Sequence, residues 1–232
     1  MLSAHAWDNF GKTISGRPIT DELIDDLVAR AEAGYPVEEV AGCGALVLCI
    51  DTRYTRAVVK DADIYVLAGL LARSESWSYR SLAGRLRVPH PVVQRALARA
   101  KGADLYSPDR REVHRPHFEE FAIHALRFVA PAQLGALAPG VPAAWAAEPM
   151  ASAIRSSGEE PPPVWPYAQG RVRGQAIEPL HSAAPEAVED WPELGELLAL
   201  LDSLRAGDAR VRRVAGGLLS ERLRSQVSVV DR

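Results

Sequence analysis

The sequence predicts a mainly α-helical fold carrying one small β hairpin. Apolar residues recur at helical spacing in several separate segments. Between Trp77 and His114, two short amphipathic stretches divided by a tight turn are followed by two extended pieces flanking Ser107-Pro108-Asp109. The 232 residues are 47% hydrophobic, enough to bury a real core.

In chain order, Thr20-Asp21-Glu22 opens an acidic first turn, and Leu23, Ile24, Leu27, Val28 and Ala31 continue at helical spacing until Gly34. Asp61 to Arg73 predicts a second helix, with Ile64, Leu67, Ala68 and Leu71 on one stripe and a break at Ser74-Glu75-Ser76. After the stretch from 77 to 114, Arg115 to Val129 forms another helix, entered through Pro116, with Phe118, Phe121, Ala122, Ala125 and Phe128 on one side. Prolines crowd Pro131 to Pro166 and predict loops, short helices and one exposed linker. Leu194 to Leu204 and Ala209 to Leu223 are the last helices. The organisation expected is an acidic helical segment (1–59), a central domain (60–130), a proline-rich connector (131–170) and a C-terminal helical region for sensing or dimerisation (171–232).

Composition removes several classes of function. No apolar run reaches the roughly 18 residues that a membrane span needs, so no membrane partner is expected. The first residues lack a basic head, an apolar stretch and a small-residue cleavage site, which points to the cytoplasm. Cys43 and Cys49 lie in the most apolar stretch and are expected as buried thiols, not as a disulfide framework. No Gly-rich phosphate loop, nucleophile motif or paired acids stand out, so neither enzymatic activity nor a cofactor is expected. His114, His117 and His124 are close in sequence, with Glu120 the only nearby acid. They are expected as hairpin-end and helix-surface side chains without a metal.

The net charge of −3 hides an uneven distribution. Residues 1–40 hold three basic and eight acidic side chains, whereas residues 71–115 hold ten basic and four acidic ones. Clustered arginine and lysine supply the phosphate neutralisation on which DNA affinity largely depends. Within this basic block, Leu82, Ala83 and Leu86 face inward from the first short helix and Val88 plugs the turn. Val93 and Leu97, with Ala96 or Ala100, face inward from the second helix. His90, Gln94, Arg95, Ala98 and Arg99 then share its outer face. Of these, His90, Gln94, Arg95 and Arg99 are expected to reach base edges, while Tyr79, Arg80, Arg85 and Arg87 are expected to hold phosphate.

The run Leu82-Ala83, Leu86, Val88 and Val93-Gln94-Arg95-Ala96-Leu97 resembles the helix-turn-helix of bacterial winged-helix transcriptional regulators of the MarR-like kind. This family usually has Gly where this chain has Arg87, and often Ser or Thr where it has Pro89; Pro91 offers another way to start the second helix. The resemblance covers about residues 60–130. It implies a winged helix-turn-helix domain, sequence-specific double-stranded DNA binding in transcriptional regulation, and a basic wing tip, here Arg110 and Arg111, on phosphate or the minor groove. A homodimer is expected because one recognition helix reads only a half-site. Leu197, Leu198, Leu201 and Leu204 are candidates for that contact or for the core.

Two further stretches suggest an alternative. Residues 11–40 resemble the leader that precedes the ribbon-helix-helix domain of some actinobacterial antitoxins, although no ribbon follows in 41–59. Residues 164–180 are similar to a stretch of bacterial winged-helix proteins encoded beside nucleotidyltransferase-type toxins. Both imply an antitoxin or protein-binding module with a co-encoded partner. The residues of 164–180 themselves predict a packed loop in which Trp165 and Tyr167 cover the core and Arg171 and Arg173 pair with nearby acids.

Overall fold

The computed structural model describes residues 59–73, 76–154 and 160–225. The expected helix at 20–34, the Cys43 and Cys49 stretch and the leader-like 11–40 lie outside these residues. The described part is mainly helical with a small β component. None of its helices is long and apolar enough to cross a membrane.

Helix α1 spans Asp61–Ala72. It is buried on nearly every side, from Asp63 to Ala72, so it runs through the core and not along its surface. Helices α2 (Tyr79–Arg85) and α3 (His90–Gly102) follow, joined by a four-residue turn. Strands β1 (Tyr106–Ser107) and β2 (Glu112–Val113) then pair antiparallel as a hairpin. The next helical stretch has α4 (Arg115–Glu120), a π-helical segment (Phe121–Ala125) and α5 (Leu126–Val129). Phe118, Ala122 and Leu126 keep one side of it buried across the change of pitch.

Three strands correct the expectations after Ala130: two stand in the proline-rich region beside the short helices expected there, and the third stands where a packed loop and a helical region were expected. These are β3 (Leu134–Pro142), β4 (Pro163–Pro166) and β5 (Val172–Ile177). β3 pairs antiparallel with both β4 and β5, and β4 pairs parallel with β5. The prolines fit because they act as acceptors where a donor would be missing. Pro139 accepts from the Tyr167 N–H at 3.1 Å, Pro162 from Gln175 at 2.9 Å and Pro163 from Ala143 at 3.0 Å. Glycine lets the backbones approach: a Cβ on Gly174 would stand 2.0 Å from the Pro162 carbonyl oxygen, and one on Gly140 2.1 Å from that of Trp165.

A 3₁₀ turn (Ala144–Ala146), α6 (Met150–Ala153) and α7 (Ala184–Ala187) lie between or beside the strands. Helices α8 (Pro192–Ala206) and α9 (Ala209–Ser225) complete the described chain. Leu197, Leu198, Leu201 and Leu204 of α8 are core residues, at most 2% exposed. α8 also buries Asp202 and Arg205, paired at 2.5 Å. The Trp165 indole donates to Asp202 at 2.6 Å, and Arg205 donates to the carbonyls of Ala130 (2.7 Å) and Glu178 (3.2 Å). The two charges are thereby hydrogen bonded as well as paired, which a buried ion pair requires. One buried apolar cluster runs from Ile64 to Leu223, joining the helices before the prolines to those after them.

Candidate nucleic-acid interface

Helix α2 begins in a reciprocal cap. The Ser81 N–H donates to the Ser78 hydroxyl at 3.0 Å, and the Ser78 N–H donates to the Ser81 hydroxyl at 2.9 Å. Its turn closes with the Arg87 N–H on Gly84 O (3.2 Å) and the Val88 N–H on Ala83 O (3.0 Å). Arg87 has φ 55°, the left-handed conformation that favours glycine. α3 starts at His90 with Pro91 in its first turn, where no backbone donor is needed. Leu82, Ala83, Leu86, Val88, Val93, Ala96, Leu97 and Ala100 are all buried. Burying a Leu or Val side chain contributes about 1.5–3 kcal/mol, so this inner face holds the two helices firmly.

Two polar contacts fix the pair to α1. The Tyr65 hydroxyl donates to Leu86 O at 3.0 Å, and burial raises its pKa well above the ordinary tyrosine value. Arg99 donates from Nε (2.8 Å) and Nη2 (2.6 Å) to the carboxylate of fully buried Asp63. The Lys60 N–H also donates to Asp63, at 2.9 Å, so the carboxylate caps the start of α1 as well. The hydrogen bonds to Asp63 raise the Arg99 pKa further.

The hairpin is clasped to the segment before α2. Arg111 stands over the Trp77 ring at 4.6 Å and donates to Trp77 O at 3.0 Å, while the Trp77 indole donates to Arg111 O at 3.1 Å. Tyr79 packs edge-on against both Trp77 (5.3 Å) and His90 (5.8 Å).

The residues expected to meet DNA fall into two sets. Arg80, His90, Gln94, Arg95 and Arg110 are exposed, and Tyr79 is half-buried. Gln94 and Arg95 share the uncovered side of α3 with Pro91, Ala98 and Lys101. Four arginines are engaged within the chain. Arg99 is corrected from the outer face of α3 to an anchor on Asp63. Arg85 lies 3.8 Å over the Trp191 ring, Arg87 pairs with Asp190 (2.6 Å) and Glu186 (3.8 Å), and Arg111 is held by Trp77. Among the described residues the side chains of Arg80, Arg95 and Arg110 make no hydrogen bond or ion pair.

Asp63, Trp77, Glu186, Asp190 and Trp191 thus shape this face without having been expected there. Only Asp63 carried a local signal, an acid in the first turn of a helix, and that signal points to capping and not to an arginine 36 residues away. Of the three clustered histidines, His114 and His117 stack at 4.2 Å, and they meet Asp104 instead of His124. In the 164–180 stretch Trp165 is buried as expected, whereas Arg171 and Arg173 are exposed and form no ion pair among the described residues.

In comparisons with protein-family models, with curated proteins and with solved structures, nothing matches this chain.

Proposed function

We propose that the chain binds double-stranded DNA as a winged helix-turn-helix, with α3 as the recognition helix in the major groove and the β1–β2 hairpin as the wing. The observation that carries this reading is the uncovered face of α3, where Gln94 and Arg95 stand exposed on a helix anchored from behind by Asp63, Tyr65 and the inner leucines. Anchoring matters because base readout needs side chains presented on a rigid element. Arg80 and Arg110 lie outside that face, exposed and unpaired among the described residues, and suit phosphate contacts that position without reading sequence. The biological role that fits is transcriptional regulation in the cytoplasm, by a homodimer reading two half-sites.

The test is binding to the DNA directly upstream of the chain's own gene against random duplex, at several salt concentrations. Gln94→Ala and Arg95→Ala should each relax sequence preference, by about 1–3 kcal/mol at the affected position. Arg110→Ala should weaken binding to all sequences alike and flatten the salt slope by about 0.9. Absence of binding, or equal loss on all DNA from every substitution, would refute the assignment.

A protein-binding or antitoxin role is the second reading. It is favoured by Phe128, Val129, Leu134 and Leu137, which are 68%, 43%, 38% and 51% exposed along one short stretch of chain. On that reading the exposed arginines of α3 and the hairpin would be dispensable for neutralising a co-encoded toxin.

A further inference from the structure

Asp104, His114 and His117 come from three different elements. Asp104 follows the end of α3 in a left-handed conformation (φ 56°), His114 follows β2, and His117 lies in the first turns of α4. One donor atom from each falls within 4.8 Å of the other two. His117 Nδ1 lies 3.1 Å from Asp104 Oδ2 and 2.9 Å from the Asp104 carbonyl oxygen, so an ion taking this nitrogen would replace that hydrogen bond. Ligands of a tetrahedral ion bound at about 2.0–2.1 Å stand roughly 3.3 Å apart, so small side-chain rotations would close the cluster on an ion. Imidazole with carboxylate is also the donor set that suits borderline divalent ions of the zinc class.

A second observation concerns His114. Its Nδ1 is buried and has no hydrogen-bond partner among the described residues. Buried polar atoms are nearly always satisfied, and an unfilled ion site is one of the few reasons for an exception. His117 also lines a cleft of about 440 Å³ with Ala103, Leu105, Glu120, Phe121 and His124, so one of the three ligands borders open space.

We infer that Asp104, His114 and His117 form a binding site for a divalent transition-metal ion of the zinc class, with water completing the coordination. Bound there, the ion ties the end of α3 to the base of the hairpin and to α4. The site does not depend on the DNA reading, since its ligands are not among the residues assigned to DNA.

The test uses the full chain. Zinc affinity and stoichiometry are measured by competition with a chromophoric chelator, and cobalt(II) serves as a spectroscopic probe of the ligands. One equivalent should bind, with a cobalt spectrum of nitrogen and oxygen ligation and a zinc-dependent rise in Tm. Asp104→Asn, which keeps the size and tolerates the left-handed backbone, and His117→Gln should each weaken binding at least about tenfold and abolish the rise in Tm. His124→Gln should leave both unchanged. Far-UV circular dichroism of each variant separates lost ligation from lost folding. The site is refuted if no stoichiometric zinc binds or if the Asp104 and His117 variants bind as the parent does. Thiolate-to-cobalt charge-transfer absorption would likewise refute it, placing the metal on Cys43 or Cys49.

Discussion

Arg99 reaches from α3 across to α1 and holds both oxygens of the Asp63 carboxylate, at 2.6 and 2.8 Å, beneath the face that Gln94 and Arg95 present outward. Asp63 is wholly buried while Arg99 keeps partial contact with solvent. Removing either partner leaves the other's charge without its match, and the buried carboxylate suffers more. Arg99→Ala should therefore destabilise the fold by about 3–5 kcal/mol in urea unfolding. Asp63→Ala combined with Arg99→Ala should cost less than the two single losses together, giving a double-mutant coupling above about 1 kcal/mol. Additive losses would mean the pair is not coupled.

Arg87 combines a left-handed backbone with an exposed ion pair, and the two effects oppose each other. Glycine at 87 would relieve the backbone at the expense of the Asp190 contact, and alanine would lose the contact without relief. Arg87→Gly should accordingly be more stable than Arg87→Ala by about 1 kcal/mol. Thermal unfolding of the two variants checks the order, and equal Tm values would show that the turn is not strained.

His181 stacks on Tyr65 at 5.1 Å, and its Nδ1 accepts the Ala183 N–H at 3.1 Å, which only the unprotonated nitrogen can do. Burial lowers its pKa from the ordinary 6.5. Between the lowered folded value and 6.5 the unfolded chain therefore binds more protons than the folded one. The stability from neutral His181 should be fully present above pH 6.5 and be lost as pH falls from there through the folded value. Denaturant unfolding across that window should show a smaller loss for His181→Asn than for the parent chain. The same slope in both would exclude His181 as its source.

Where signals were local, the sequence was informative. The helices at 61–72, 192–206 and 209–225 follow from apolar spacing, and the succession of helix, turn, helix and hairpin between 79 and 113 from caps, prolines and turn residues. Two of the three strands after Ala130 were illegible because Pro139, Pro142, Pro163 and Pro166 stand within them, and β5, with Gly174 and two polar residues in six, shows no sustained apolar alternation of its own. Such prolines oppose strand structure in isolation and are accommodated only when partners far along the chain supply donors to their carbonyls. The metal-binding candidate was half legible. His114 and His117 are neighbours in sequence, but Asp104 joins them only when the hairpin folds back on the end of α3. Likewise nothing near Arg87 in the sequence announces Asp190, 103 residues further on.

Each strand of the set β3, β4 and β5 is bonded to both others, so that the sheet closes on itself. An open sheet can recruit a strand from another molecule, which is the usual route from a native sheet to an aggregate or to a strand-exchanged assembly. Closure is complete only at Gly140, where β3 pairs with Pro166 of β4 and Val172 of β5; from Leu134 to Ala138 it pairs with β5 alone. The edge left to a strand from another molecule is thus the one that carries the exposed Leu134 and Leu137, and Pro139 and Pro142, which have no N–H to donate, end that edge at its far side.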